Sequence, residues 1–431
     1  MKQNLFEKIK KVHFIGIGGS GVSSLARMML LLDKKVSGTE TALVGCESRS
    51  ELIKQGAKVF AEYKRDNISK NIDMIIYSPA YNPDDNVELI QAKKLGISIY
   101  SYPEALGLIS KEKYTIAISG THGKTTTTSM VADILIAAKK DPMVVVGTQN
   151  NNFIMGKSKF FIVEACEYKE SFLNLFPDIL IITNIDNDHL DYYKNIKNIQ
   201  KAFAKLINKV PKNGFIICNP EDKNTKQALR ISKIKAKIID YTKEKELKLK
   251  VPGSHNLQNA KAALVVAKAI NIKEQKAQEL LKKYAGTWRR FEYKGAWRGA
   301  LIYDDYAHHP TEVKAILKAI CEKFPNKKII AVFQPHLYSR TKLLLNDFAK
   351  SFNCVDDIII TDIYAAREKD DKSIHAKDLV RAIKKENNFV QYMSDFKDIV
   401  KYLKKNANKD NIIITIGAGD VYKIGEKLII E

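Results

Sequence analysis

Short apolar runs recur along the whole chain, each closed by a glycine or a polar turn and followed by a stretch with helical spacing. KVHFIGI, KVSGT, DMIIYS, YTIAIS, FFIVEA, ILIITNI, GFIICN, ALIYDDY, KKIIAVF, DIIITDI and NIIITIG are such runs. Many are continuously hydrophobic rather than alternating, which is the pattern of strands covered on both faces inside a parallel sheet. Between them lie amphipathic or alanine-rich segments such as SSLARMMLLL, NAKAALVVAKAI and IKEQKAQELLKKY. The alternation predicts an α/β protein built from βαβ units from end to end. No internal repeat is visible.

A chain of 431 residues exceeds what one hydrophobic core organises, and its length suggests about three domains. The segment SYPEALGLISKEKY, with a proline, a glycine and charges, reads as a first linker. A second break falls at AGTWRRFEYKG. The expected domains are therefore 1–110, 111–287 and 288–431. No apolar run reaches the ~20 residues that span a bilayer, so no membrane association is expected and the location is read as cytoplasmic. Cys46, Cys166, Cys218, Cys321 and Cys354 are scattered with no C-x-x-C pair, which predicts reduced thiols rather than a disulfide framework or zinc knuckle. The formal charge of +22 comes from lysines spread through the whole sequence. Without clustering or interleaved aromatics, this reads as compositional bias and not as a nucleic-acid surface.

Candidate chemistry sits where strands end. Gly16, Gly18 and Gly21 spell G-x-G-x-x-G between a strand and a helix, with Gly19 and Ser20 inside the turn, a pattern that lets a backbone approach a diphosphate at a helix N-terminus. Glu40 follows the next strand, where a dinucleotide fold places its ribose acceptor. NAD binding and a purely structural turn are both compatible with this motif alone. A second loop, Gly120, Thr121, His122, Gly123, Lys124, Thr125 and Thr126, follows the strand YTIAIS and opens a helix. It is tighter than the usual G-x-x-x-x-G-K-[ST] pattern, but its backbone can still cradle phosphates. Lys124 can reach the β and γ phosphates of ATP and Thr125 can hold Mg²⁺.

Further strand ends carry carboxylates and histidines. Glu164 closes FFIVEA, where a buried acid needs a cation or partner; Asn184, Asp186, Asp188 and His189 follow ILIITNI. Each could be a plain polar turn, yet both follow the phosphate-loop strand in one predicted domain, which points to a metal site. Asn256 and Asn259 lie three apart at a helix start, on one face, suited to a base or phosphate or to capping. Arg289 and Arg290 could clamp a phosphoryl group or be a solvated pair. Asp304 and Asp305 precede His308 and His309, a set read as nucleotide and substrate contacts rather than zinc ligands. His336 and Arg340 in QPHLYSRT could receive a carboxylate.

The segments HFIGIGGSGVSSLA, SGTHGKTTTTSM, VEACEYKESF, TNIDNDHLDYY, PGSHNLQNA, RRFEYKG, YDDYAHHPTEV and FQPHLYSRT stand in the order and approximate spacing of the Mur ligases, which the chain resembles over essentially its whole length. The resemblance implies a Rossmann-like N-terminal domain, a central P-loop ATPase-like domain and a C-terminal Rossmann-like domain. It implies an ATP-dependent amide ligase acting on UDP-N-acetylmuramate and L-alanine through an acyl phosphate, with Mg²⁺ or Mn²⁺, as monomer or homodimer. Gly16 to Gly21 would then hold a UDP diphosphate. Lys124 would meet the γ phosphoryl, Thr125 and Glu164 one metal ion and His189 a second. Asn256 and Asn259 would contact adenine, Arg290 and Asp305 would close over ATP, and His336 and Arg340 would hold the amino acid. This chain departs from the family pattern at Cys166 and Lys169, which replace acids, at Tyr63, which replaces a histidine, and at Leu337, which replaces an arginine.

Overall fold

The computed structural model describes residues 5–41, 46–147, 152–366, 368–370, 372–387 and 389–430; the side chain of Cys46 lies outside the described set. The apolar runs form three sheets. The first contains β1 (Lys11–Ile15), β2 (Lys35–Thr39), β3 (Lys58–Phe60), β4 (Met74–Tyr77) and β5 (Ser98–Ser101) in the order β3-β2-β1-β4-β5, and its pairings are all parallel. Val12, Phe14 and Ile15 on the central strand are buried, and so is His13, whose ring nitrogens lie 2.9 Å from Ser37 Oγ and 3.3 Å from Glu88 Oε2, a polar side chain tolerated inside the sheet because it is paired. Strand order reverses beside β1, so the crevice at its carboxyl end is the natural place for a ligand.

The second sheet comprises β6 (Tyr114–Ser119), β7 (Met143–Val145), β8 (Phe153–Ile154), β9 (Phe160–Glu164), β10 (Ile179–Ile182), β11 (Phe215–Cys218) and β12 (Lys237–Asp240). Its order is β12-β11-β10-β6-β9-β7-β8, parallel except for the β7–β8 hairpin. The third contains β13 (Glu292–Trp297), β14 (Ala300–Asp305), β15 (Lys328–Phe333), β16 (Asp357–Ile360), β17 (Val390–Tyr392) and β18 (Asn411–Ile416). Here the order is β13-β14-β18-β15-β16-β17, with only β13–β14 antiparallel. By contacts the chain forms two compact units. One comprises Met1–Asn187, Asn195–Lys245 and Ala260–Leu280, and holds the first two sheets. The other comprises Asp188–Lys194, Glu246–Asn259 and Leu281–Glu431, and holds the third.

Three expectations change. The stretch read as a first linker is a helix, Tyr102–Glu112, opened by a capping box between Ser101 and Glu104 with Pro103 in its first turn. The S-x-x-E signature outweighs the proline and glycine there. Gly107 is needed because a Cβ would lie 2.5 Å from the Asn174 carbonyl oxygen. Cys321 and Cys354 are joined as a disulfide with Cα atoms 6.5 Å apart, so the reduced-thiol expectation fails for this pair. Their separation of 33 residues left no local signal; the return of the chain past the helix Pro310–Lys323 creates the contact. Cys166 and Cys218 are free. Among the described residues no helix is long and apolar enough to cross a membrane.

Arg289, offered above as a phosphoryl clamp, has a different role. It is 2% exposed, with Nε donating to Asp304 Oδ2 at 2.7 Å and its terminal nitrogens to the Gly419 and Gly417 carbonyls at 2.8 and 2.5 Å. Asp304 is fully buried and accepts a second bond from Thr415 Oγ1 at 2.5 Å. Removing one member of such a pair strands a buried charge. Asp304→Ala is therefore expected to destabilise the third-sheet unit by about 3–5 kcal/mol, read as a lower urea midpoint; a loss under about 1 kcal/mol, the size of an exposed pair, would contradict this account.

Candidate active site

The tight phosphate loop is shaped by two glycines. Gly120 has φ +133° and Gly123 φ +81°, a region that favours glycine, and a Cβ on Gly120 would run into Thr183 Oγ1. The loop is laced to the end of β10. His122 N donates to Asn184 Oδ1 at 3.0 Å, Thr183 Oγ1 donates to the His122 carbonyl at 2.6 Å, and Thr121 N to the Asn184 carbonyl at 3.0 Å. Asp186 N donates back to Thr121 Oγ1 at 2.8 Å, and the His122 ring lies 3.2 Å from Asp186 Oδ2. Gly123 caps the helix Lys124–Ala137 without any side-chain bond, which leaves first-turn N–H groups for an anion. Thr126 is buried in that first turn.

Lys124 curls over this loop. Its Nζ donates to the Gly120 and Thr121 carbonyls at 2.5 and 3.0 Å and lies 2.9 Å from Glu167 Oε2. Burial alone would weaken its ammonium, but Glu167, with Cys166 and Glu164 nearby, holds its pKa above the ordinary lysine value. It is therefore a fixed positive charge. At the end of β9, Glu164 Oε2 accepts from Thr125 Oγ1 at 2.9 Å and from Gly147 N at 2.8 Å. A hydroxyl and a carboxylate side by side form a hard oxygen donor set, which fits Mg²⁺.

In the first sheet, Gly16 has φ +74° and lies against the Tyr81 ring, which a Cβ would approach to 2.6 Å. Gly19 opens the helix Ser20–Leu31 with no side-chain cap. Gly21 faces Tyr102, whose ring would be 2.9 Å from a Cβ. Gly18 N does not point to open space: it donates to Glu40 Oε2 at 3.0 Å. Burial raises the Glu40 pKa, opposed by that bond and by Tyr81. Tyr63, one of the departures from the resembled pattern, meets the Tyr81 ring edge-on at 5.3 Å.

The third-sheet unit gathers the other candidates. Arg340 Nη2 donates to Asp188 Oδ1 at 2.8 Å and Nη1 to His336 Nδ1 at 3.1 Å, which leaves the His336 proton on Nε2. His336 stacks on Tyr364 at 5.8 Å and meets His308 edge-on at 5.7 Å. Burial would raise Asp188, but Arg340, His189 and His308 hold its carboxyl far below the usual range. His189 has φ +52°, an uncommon backbone for a non-glycine residue, with its N–H on Asp188 Oδ1 at 2.7 Å. Leu337 also has positive φ, +70°, and its side chain is buried. Arg290 lies 5.3 Å from the centre of the Tyr306 ring. Both Asp305 oxygens accept backbone N–H groups, from Phe291 at 2.7 Å and Ala307 at 2.8 Å. Through the bond from Phe291 N, Asp305 organises the turn that carries Arg290; burial pushes its pKa up to about 6. His309 caps the helix Pro310–Lys323 reciprocally with Glu312. Asn256 and Asn259 are buried near the start of the helix Ser254–Ala269, where Asn256 Nδ2 donates to the Pro252 carbonyl at 2.7 Å.

Thus Lys124, Thr125 and Glu164 meet at one place, and His336 and Arg340 at another; His189 belongs with the second group, alongside Asp188. Glu167 and Asp188 carry more of the charge balance than their place in the sequence suggested. The signal for both was present, an acid beside a candidate ligand, but partner choice was not.

Glycine loops at the carboxyl ends of parallel strands, one with a fixed lysine and a hydroxyl–carboxylate pair, define a nucleotide-phosphate-handling α/β protein. Family models match in order: the Mur ligase family catalytic domain over 11–114, the Mur ligase middle domain over 118–247 and the Mur ligase glutamate ligase domain over 289–419. The UDP-N-acetylmuramate–L-alanine ligase of Caldanaerobacter subterraneus subsp. tengcongensis is 43% identical over 99% of this chain and 98% of its own. That of Clostridium acetobutylicum is 44% identical over 97% of each. The crystal structure of the UDP-N-acetylmuramate-alanine ligase MurC from Thermotoga maritima superposes with a TM-score of 0.79 at 26% identity, covering 97% of this chain and 98% of that one. A murein peptide ligase from Psychrobacter arcticus shares the fold at TM-score 0.68 and 21% identity, over 98% of both chains. The chain belongs to the Mur ligase family.

The histidine cluster generates a pH prediction. Burial lowers His308 to about 4 from 6.5, with Arg340 adding to the effect and Glu312 and Asp188 opposing it. Its Nδ1 lies 3.0 Å from the Tyr306 carbonyl. The unfolded chain then binds more protons between those values, so the His308 contribution to stability is complete above about pH 6.5 and lost as pH falls toward 4. Asp305 acts oppositely, since a carboxyl raised to about 6 favours the folded state as pH falls through that value. The stability difference between the parent and His308→Gln isolates the first effect: it should shrink from pH 7 to pH 4 in denaturation series, and a flat difference would remove the assignment.

Proposed function

We propose that this chain is an ATP-dependent ligase that joins L-alanine to the lactyl carboxylate of UDP-N-acetylmuramate, in the cytoplasm, for peptidoglycan precursor synthesis. The observation that carries the reading is the arrangement of Lys124, Thr125 and Glu164 around one helix N-terminus, in a chain this similar over its full length to ligases of that name. The division of labour proposed is UDP-substrate binding by 1–110, ATP binding by 111–287 and amino-acid binding by 288–431.

In this mechanism the carboxylate oxygen of the UDP substrate attacks the γ phosphorus of ATP, and ADP leaves. The amine of L-alanine then attacks the acyl carbon, and phosphate leaves as the amide forms. The loop N–H groups and Lys124 place fixed positive charge where the phosphoryl group moves, stabilisation that needs no rearrangement during reaction. Thr125 and Glu164 would hold Mg²⁺, with Mn²⁺ as a substitute, and His189 a second ion; such a cation would supply neutralisation of the negative charge on the phosphates. Arg290, held against Tyr306, would meet ATP from the turn that Asp305 organises. Asn256 and Asn259 would face adenine. The helix N-terminus that opens after Gly19 would take the UDP diphosphate on the N–H groups of Ser20 and Gly21, and Arg340 with His336 would receive the alanine carboxylate.

Phosphate release from ATP tests the proposal directly, with Mg²⁺, UDP-N-acetylmuramate and either L-alanine, other amino acids or a tripeptide. Release that requires UDP-N-acetylmuramate and is greatest with L-alanine is expected. Release only with the tripeptide would transfer the protein to a peptide-attaching reaction, and none with any acceptor would remove the ligase reading. Lys124→Ala should lower kcat by about 10²–10³-fold or more, the scale of losing one preorganised charge-stabilising donor, in protein that is still folded under assay conditions; because it strands the buried Glu167 carboxylate, a lower unfolding midpoint should accompany the loss.

A further inference from the structure

Asn152 is fully buried and belongs to neither glycine loop. It immediately precedes β8, and its side chain reaches the first turn of the helix Ser20–Leu31. Its Nδ2 donates to the Ser20 carbonyl at 2.5 Å and to Ser23 Oγ at 3.0 Å, while its Oδ1 accepts from Arg27 Nη1 at 2.9 Å. Both amide protons and one of the two oxygen lone pairs are thereby engaged. Arg27 is held in turn by Glu51 Oε2 at 2.5 Å.

The backbone of the same residue leads to the other site. The Asn152 carbonyl accepts from Val146 N at 3.0 Å. The next residue, Gly147, donates its N–H to Glu164 Oε2 at 2.8 Å, the oxygen that also accepts from Thr125 Oγ1 at 2.9 Å. Gly147 sits so close to Glu164 that a Cβ would be 2.7 Å from Oε1. A short hydrogen-bonded path thus joins the helix turn that opens at the first glycine loop to the carboxylate beside the second. Its links are Ser20, Asn152, Val146, Gly147 and Glu164, all within one compact unit.

We infer that Asn152 is a positioning residue that couples occupancy of the first glycine loop to the placement of Glu164, so that the UDP substrate and ATP bind cooperatively. The inference rests on the proposed ligase function and goes beyond it, since two independent sites would serve the same chemistry. A ligand that anchors on the N–H groups at Ser20 and Gly21 restrains the helix turn whose Ser20 carbonyl Asn152 grips. Less freedom at Asn152 means less freedom at Gly147, whose N–H sets where the Glu164 carboxylate sits. Coupling of this kind is reciprocal: each ligand must raise the affinity of the other by the same factor.

The test is a pair of titrations on the full chain, a non-hydrolysable ATP analogue with Mg²⁺ in the absence and presence of saturating UDP-N-acetylmuramate, and the reverse. The parent should show a mutual enhancement of about fivefold or more. In Asn152→Ala each ligand alone should bind within about threefold of the parent, while the enhancement falls toward one. Ser23→Ala removes the hydroxyl that accepts from Asn152 and donates to the Ser20 carbonyl but leaves the Asn152 bonds to Ser20 and Arg27 in place, so it is the gentler variant and should lose part of the enhancement even if Asn152→Ala folds poorly. Failure of the parent to bind UDP-N-acetylmuramate would overturn the functional reading itself. Binding of both ligands without enhancement in the parent, or enhancement unchanged in Ser23→Ala and in a folded Asn152→Ala, would overturn this inference alone.

Discussion

A strand buried on both faces of a parallel sheet can carry an unpaired charge, ready for a ligand, only where it ends. Inside the sheet an unpaired carboxylate or ammonium would lose its hydration without compensation, so Ile116 to Ile118 and Ile179 to Ile182 are apolar and buried. At the carboxyl ends the constraint relaxes: helix N-termini and freed backbone N–H groups supply partners. Each sheet shows the same consequence. The first places Gly16 and Glu40 there, the second Gly120, Glu164 and Asn184, and the third Asp304, Asp305 and Gly417.

The charges collected at those ends are balanced locally. Lys124 is set against Glu167, Arg340 against Asp188 and Arg289 against Asp304. These pairs differ in use. Arg289 is locked among carbonyls and a buried acid and is part of the framework. Lys124 has carbonyl and carboxylate contacts around a helix end that also offers N–H groups to an anion, so the same positive charge can serve a phosphoryl group. Burial is shared by both lysine and arginine; the neighbouring donors separate structural charge from functional charge.

The interior strands were legible because each is a continuous apolar run, and the loops after β1 and β6 because glycine spacing records backbone geometry. The strands that escaped notice are informative. β3, β5, β8, β12, β13 and β17 lie at the edges of their sheets, and β7 is next to an edge. An edge strand is covered on fewer sides and alternates or shortens, so KVF at Lys58–Phe60 or KIID at Lys237–Asp240 leaves little hydrophobic signal. The helix Tyr102–Glu112 was obscured by Pro103 and Gly107, both of which it accommodates for local reasons, one at an N-terminus and one beneath the Asn174 carbonyl.

By itself the sequence determined the α/β class, the two phosphate loops and the identity of the side chains at strand ends, because these depend on residues close together along the chain. Only the tertiary structure decided which of those side chains meet. Glu164 and Thr125 are 39 residues apart and Arg340 and Asp188 are 152 apart, distances over which no local periodicity carries information. The same holds for Arg289, which looked like a ligand clamp beside Arg290 until Asp304 and two carbonyls enclosed it, and for Cys321 with Cys354. Asn152 was silent in the sequence for the same physical reason: its significance lies entirely in partners that the chain brings to it from Ser20, Ser23 and Arg27.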